Sequence, residues 1–168
     1  FEGDPWIRDR AIRFSDRVTE LSTFLASCPE GGGERAPQSG KGFGKIALHD
    51  SCHALRGLGL RDEPRKLLAE TGAEVVDLPG ADRCCGFGGS FAVKLDEVST
   101  AILKEKLQAA QECGADTLVT ADGGCLMQLR GGAGKWVEMG LDGPPPRCLH
   151  LAEVLAPPED ASPPDAAA

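Results

Sequence analysis

The strongest constraint in this 168-residue chain is an alternation. Short apolar runs at 45–49, 74–78, 117–120 and 148–151 are separated by stretches of helical periodicity. Between the first two runs, 63–70 presents Leu67 and Leu68, with Gly72 as a stop. Between the second and third, 90–113 predicts one long helix with Val98, Ile102, Leu103, Leu107 and Ala110 inward and Gly114 as its cap. A further helix begins over 125–129, 131–146 reads as a loop, and a short helix follows the last run. Strand, helix and strand in repetition require parallel neighbours joined by right-handed crossovers. The expected fold is α/β: an open, mainly parallel sheet with helices on both faces.

The flanks read differently. Asp4-Pro5 opens a helix, with Asp as N-cap and Pro in the first turn. Ile7, Ala11, Phe14, Val18, Leu21 and Leu25 then form one apolar stripe, predicting a docking helix of about six turns within 1–28. The Gly-, Pro- and Ser-containing stretch 29–44 reads as a flexible linker, and 157–168, with four prolines, as a disordered tail. That leaves 45–156 as the domain, and 41% apolar residues suffice for one core. A formal net charge of −8 argues against a nucleic-acid or anionic-membrane surface. No apolar run approaches the roughly 20 residues that span a bilayer. No secretory signal is visible, so a reducing, cytoplasmic location is expected.

Seven cysteines in such a chain read first as metal binding or redox chemistry. Cys52, the adjacent pair Cys84-Cys85, and Cys125 each follow a strand in sequence. A Rossmann-like sheet builds its sites outside the carboxyl ends of its strands, so these four thiols are expected to converge on one sheet edge. Adjacent cysteines chelate a single ion poorly, because neighbouring side chains diverge. A cluster with several irons can take one from each, and such clusters are typically held by four thiolates. Gly86, Gly88 and Gly89 allow close backbone approach and leave N–H groups free to bond sulfur. Cys125 at a helix start would add a favourable dipole for an anionic cluster. Cys28, Cys113 and Cys148 read as packing thiols.

The histidines are less specific. His53, beside Cys52, reads as a support, an exchangeable ligand or a solvent-facing residue, whereas His49 and His150 read as strand residues. Arg56, Arg83 and Lys94 lie near the cysteine segments, where they could offset cluster charge or simply be solvated. Two nucleotide-binding lookalikes fail. Phe91 stands where a dinucleotide fingerprint starting at Gly86 needs its third glycine, and Leu129 where a phosphate loop ending in Gly134-Lys135 needs its first.

Cys52, thirty-one intervening residues, Cys84-Cys85-Gly86, thirty-eight more and then Cys125 together resemble the cysteine-rich CCG domain. That family includes the cysteine-rich component of heterodisulfide reductase and the iron–sulfur subunits of glycolate and lactate oxidising systems. The segments 49–53, 84–94, 125–127 and 149–155 are most similar to the lactate type. The resemblance implies an electron-transfer subunit of an L-lactate oxidising complex, an oxidoreductase, working with the other subunits of that complex. It implies an iron–sulfur cluster, [4Fe-4S], at Cys52, Cys84, Cys85 and Cys125. Family members usually carry two CCG repeats, so this chain reads as a C-terminal half without its N-terminal repeat. The full heterodisulfide reductase pattern ends in a fifth cysteine, where Gln128 stands here. Gln128 is therefore expected one turn past Cys125, facing the cluster and donating an N–H to sulfur. Two other functions remain open: disulfide chemistry at a cluster, against which Gln128 weighs, and a structural zinc or subunit-contact module.

Overall fold

A computed structural model describes residues 3–28 and 42–156, so 29–41 of the expected linker and the tail 157–168 lie outside the described residues. The elements in chain order are α1 (Pro5–Ser15), α2 (Leu21–Ser27), β1 (Lys45–His49), α3 (Asp62–Glu70), β2 (Glu74–Val76), α4 (Ser90–Lys94), α5 (Asp96–Glu112), β3 (Thr117–Thr120), α6 (Gly123–Gly134), β4 (Arg147–His150) and α7 (Leu151–Leu155). A single π-helical turn, His53–Gly57, follows β1. The sheet has four strands in the order β2-β1-β3-β4. Every pairing is parallel, with Ala47 opposite Val76 and Leu118, and Leu118 opposite Cys148. The α/β expectation with a parallel sheet therefore holds.

Strand alternation sorts the core into two layers. Ile46, Leu48, Val119 and Leu149 point to one face and pack with Leu67 and Leu68 of α3 and Leu151 and Val154 of α7; Leu25 of α2 joins them. Ala47, Leu118 and Cys148 point to the other face, against Leu103, Leu107 and Ala110 of α5, Leu129 of α6, and Trp136. Helices thus cover both faces, as a parallel sheet requires. The chain order turns back between β1 and β3. Crossovers leave that point in opposite directions, which opens a crevice at the strands' carboxyl ends.

Several boundaries differ from expectation, each for a local reason. The N-terminal stripe is divided between two helices. Asp4 caps α1 by accepting from the N–H groups of Trp6 and Ile7, but Glu20 starts a second helix by accepting from those of Ser22 and Thr23. Helix α2 packs on the domain through Leu25, while no residue of α1 is buried. The long helix is interrupted at Leu95, whose backbone (φ −131°, ψ 52°) is not helical. The interruption turns Val98 outward to 50% exposure and brings Ser99 and Lys106 inside with Leu103, Leu107 and Ala110. Helix α6 runs on through Gly131 and Gly132. A Cβ at Gly132 would stand 2.7 Å from Leu103 Cδ2 and 2.8 Å from Leu107 Cδ1, so the glycine sets the close approach of α5 and α6. His150 ends β4 and caps α7, its Nδ1 accepting from Ala152 N–H while Glu153 accepts from the His150 N–H.

Asp50, directly after β1, ties the layers together. Its carboxylate receives both terminal nitrogens of Arg65 in α3, at 2.7 and 2.8 Å, and its N–H donates to Ala81 O at 3.0 Å. The ion pair raises the guanidinium pKa. Replacing Arg65 by Leu leaves a buried carboxylate without its partner. Because Arg65 is itself partly exposed, the expected cost is about 1–3 kcal/mol, measured by urea unfolding. Lysine at 65 should recover only part of it, since an ammonium cannot make the paired contact.

Candidate metal centre

Three loops at the carboxyl ends of β1, β2 and β3 carry the cysteines. In the first, Cys52 immediately precedes the π-helical turn that His53 begins, and both side chains are exposed. In the second, Cys84 is exposed and Cys85 is buried. In the third, Asp122 caps α6, accepting the N–H of Cys125 at 2.9 Å, and Cys125 lies buried in the first helical turn. Asp122 also accepts from the Ser51 hydroxyl at 3.1 Å, which joins the first loop to the third.

Of the four expected thiols, two meet in the interior. The Sγ atoms of Cys85 and Cys125 and an imidazole nitrogen of His49 all lie within 4.8 Å of one another, the sole such group of three among the described residues. His49 is 1% exposed, Cys85 2% and Cys125 6%. Neither Nδ1 nor Nε2 of His49 has a hydrogen-bond partner. Leaving a buried imidazole unpaired is costly, and such a group ordinarily finds a donor, an acceptor or a metal. His49 was not legible as a site residue because it ends an apolar strand. The available signal was period two: His49 shares a face with Ala47 and therefore points toward the layer that holds Cys85 and Cys125.

The two thiols are not equivalent. The Cys125 partnership pulls the Cys85 thiol below its ordinary range against the upward push of burial, with His49 and the Phe87 N–H adding to the lowering. Cys125 is pushed up, first by Cys85, then by burial and by the charge of Asp122. One proton shared by a buried pair is the cause of both directions. Burial also raises Asp122, but the Cys125 N–H and the Ser51 hydroxyl outweigh it and leave the carboxyl below its usual value.

The glycines around the pair have a steric role. Gly86 has φ +89°, and a Cβ there would meet Ser99 O at 2.5 Å. Its N–H donates to Cys84 Sγ at 3.3 Å, and its carbonyl accepts from the Ser99 hydroxyl at 2.8 Å. Gln128 enters this chain rather than the space between the thiols: its Nε2 donates to Ser99 Oγ at 3.0 Å. It thus supports the cysteine loop through Ser99. Gly88 and Gly89 also have positive φ and turn the chain into α4.

A cation unforeseen from sequence lies under the loop. Lys106 of α5 is buried and donates to the carbonyls of Gly80 and Ala81. Burial lowers its pKa, opposed chiefly by the Cys85 charge. With Arg83, Cys84 and Ile102 it lines an open cavity of about 270 Å³. Arg56 and Lys94 are solvent-exposed. Among the other cysteines, Cys148 is buried, its thiol pushed up to about 12 by burial. Cys113 donates to Ala110 O at 3.2 Å, and Cys28 ends α2, half-buried.

The family model of the cysteine-rich domain, CCG, matches residues 46–130, which hold all three loops. The chain belongs to this family. Curated relatives named "Lactate utilization protein A" align with nearly the whole chain. The one from Anoxybacillus flavithermus is 40% identical over 158 residues, covering 92% of this chain and 61% of the relative. Those from Geobacillus thermodenitrificans and Bacillus subtilis are 39% and 37% identical with the same coverage. The chain therefore spans about six-tenths of the length of these relatives.

The geometry of the CCG loop yields a prediction. Gly86→Ala places a side chain against Ser99 O in a left-handed conformation, at an expected cost of about 1–3 kcal/mol. Its thermal midpoint should fall, and metal retention should fall with it. Gly59→Ala has a comparable φ of +71° but nothing within 4 Å. It should cost some stability while leaving metal retention unchanged.

Proposed function

We propose that this chain is part of an iron–sulfur electron-transfer subunit of an L-lactate oxidising complex, with its cluster held by Cys52, Cys84, Cys85 and Cys125. The observation that carries the reading is the convergence of buried Cys85 and Cys125 and the unpartnered imidazole of His49 at the sheet's carboxyl edge. It occurs in a CCG domain whose relatives are named for lactate utilisation. The donors fit such a group: buried thiols, one of them biased toward thiolate, beside a helix N-terminus. When bound, a cluster supplies one-electron chemistry.

The chain's own residues hold and shape the site. Cys85 and Cys125 are its buried ligands, and Cys84 and Cys52 are its solvent-side ligands. Gly86 fixes the direction of the Cys84–Cys85 pair, supported by Ser99 and Gln128. Asp122 and Ser51 hold the first and third loops together. Lys106 places a positive charge near Cys85. All seven cysteines are free thiols, which suits the reducing cytoplasm we assign to the protein. No helix of the described residues is long and apolar enough to cross a membrane. The other subunits of the complex and an N-terminal CCG repeat are the proposed partners, and the exposed apolar side chains of 3–28 belong to their contact surface.

One observation favours a second reading, a structural zinc site. Ligand atoms of one tetrahedral ion sit roughly 3.5–3.8 Å apart, from metal–ligand distances near 2.0–2.3 Å. A group gathered within 4.8 Å closes on a single ion with little movement. Metal and acid-labile sulfide analysis of the anaerobically purified chain, with its visible spectrum, separates the two. Brown protein with iron and sulfide supports the cluster; colourless protein with one zinc supports the ion.

On the cluster reading, serine at position 52, 84, 85 or 125 should severely deplete iron and sulfide. Serine at 28, 113 or 148 should leave loading near that of the parent, with at most a packing cost of about 1–3 kcal/mol. Full loading of Cys52→Ser or Cys84→Ser would remove that exposed residue from the site.

A further inference from the structure

We infer that His49 is a nitrogen ligand of the metal centre, which is therefore a mixed imidazole–thiolate site. This rests on the reading that Cys85 and Cys125 hold iron or zinc. Three observations carry it. His49 is 1% exposed at the carboxyl end of β1, and both of its ring nitrogens lack a hydrogen-bond partner. One of those nitrogens and the two buried Sγ atoms lie within 4.8 Å of one another. The backbone also holds the residue in place, because His49 pairs with Thr120 of β3.

Alternative roles for the ring are weaker, since the group it interacts with electrostatically is Cys85, itself a ligand of the site. A core histidine ordinarily hydrogen-bonds a carbonyl, a carboxylate or a hydroxyl to offset its burial. Asp50 follows it directly, but its carboxylate is engaged by Arg65. Ser51 and Asp122 are bonded to each other. Neutral imidazole is a common ligand of zinc and iron, and beside the thiolates it adds a ligand without adding negative charge. His53, although it adjoins Cys52, is exposed and outside the group of three.

The test uses the full chain loaded anaerobically with iron and sulfide, or with Co²⁺ in place of zinc. Pulsed EPR of the paramagnetic form is recorded with natural-abundance and ¹⁵N-labelled histidine. The expected result is a strong nitrogen coupling that shifts on labelling, is unchanged in His53→Gln and is lost in His49→Cys. His49→Cys should keep its metal, since thiolate replaces imidazole, and any cluster it holds should have a lower reduction potential. His49→Ala should retain metal about tenfold less well or worse, with circular dichroism reporting whether it folds. Metal-loaded parent protein without histidine coupling, or coupling that persists in His49→Cys, overturns the inference while leaving the thiolate site intact. Parent protein that takes up neither iron nor cobalt overturns the site itself and this role with it.

Discussion

The parallel pairing of β1 with β3 is the interaction on which the rest depends. Ile46 to His49 lie opposite Thr117 to Thr120, with both strands in the middle of the sheet. Their register makes them end together, so the loops that follow emerge side by side. The Ser51–Asp122 hydrogen bond then closes those two loops on each other, and the Asp50 N–H bond to Ala81 O brings the β2 loop to the same place. Because β2 and β4 are added on opposite sides of this pair, the crossover chains diverge from it. The crevice they leave is where His49, Cys85 and Cys125 meet.

The polar content of that crevice runs against the logic of the surrounding core. Ala47, Leu118, Leu103, Leu107 and Leu129 form an apolar layer in which two thiols fit easily, because cysteine packs as a small hydrophobe. A histidine with two orphaned nitrogens does not fit so easily, and a lysine whose charge is buried beneath the adjoining loop is also expensive there. Lys106 offsets its burial by donating to the Gly80 and Ala81 carbonyls, which also pins the loop. His49 has within the chain only its electrostatic interaction with Cys85, which favours that residue's thiolate. A protein that places these groups together, on loops tightened by Gly86, Ser99 and Gln128, has sacrificed packing for a preorganised binding site.

The strand–helix alternation, the parallel sheet, the packing roles of Leu67, Leu68, Leu103, Leu107 and Ala110, and the loop location of Cys52, Cys84, Cys85 and Cys125 were legible in the residues. Each follows from periodicity or from position relative to a strand end, both local properties of the chain. Helix continuity was not legible at Leu95, Asp16–Glu20 or Gly131–Gly134. At Leu95, propensity favoured a helix that the chain interrupts in order to present Ser99 to Gly86. At Gly132, propensity disfavoured a helix that close contact with Leu103 and Leu107 requires. Tertiary contacts outweigh propensities of about 1 kcal/mol or less per residue.

The site divides in the same way. Sequence alone determined that thiols would stand at three strand ends and that glycines would let the backbone approach them, because strand order and residue type suffice for both. Only the tertiary structure decided which thiols are buried together, that His49 faces them, that Gln128 bonds Ser99, and that Lys106 underlies the loop. These are contacts between residues far apart in the chain. His49 lies 36 positions before Cys85 and 76 before Cys125. Their meeting is set by the β2-β1-β3-β4 order and its register, which no local pattern encodes.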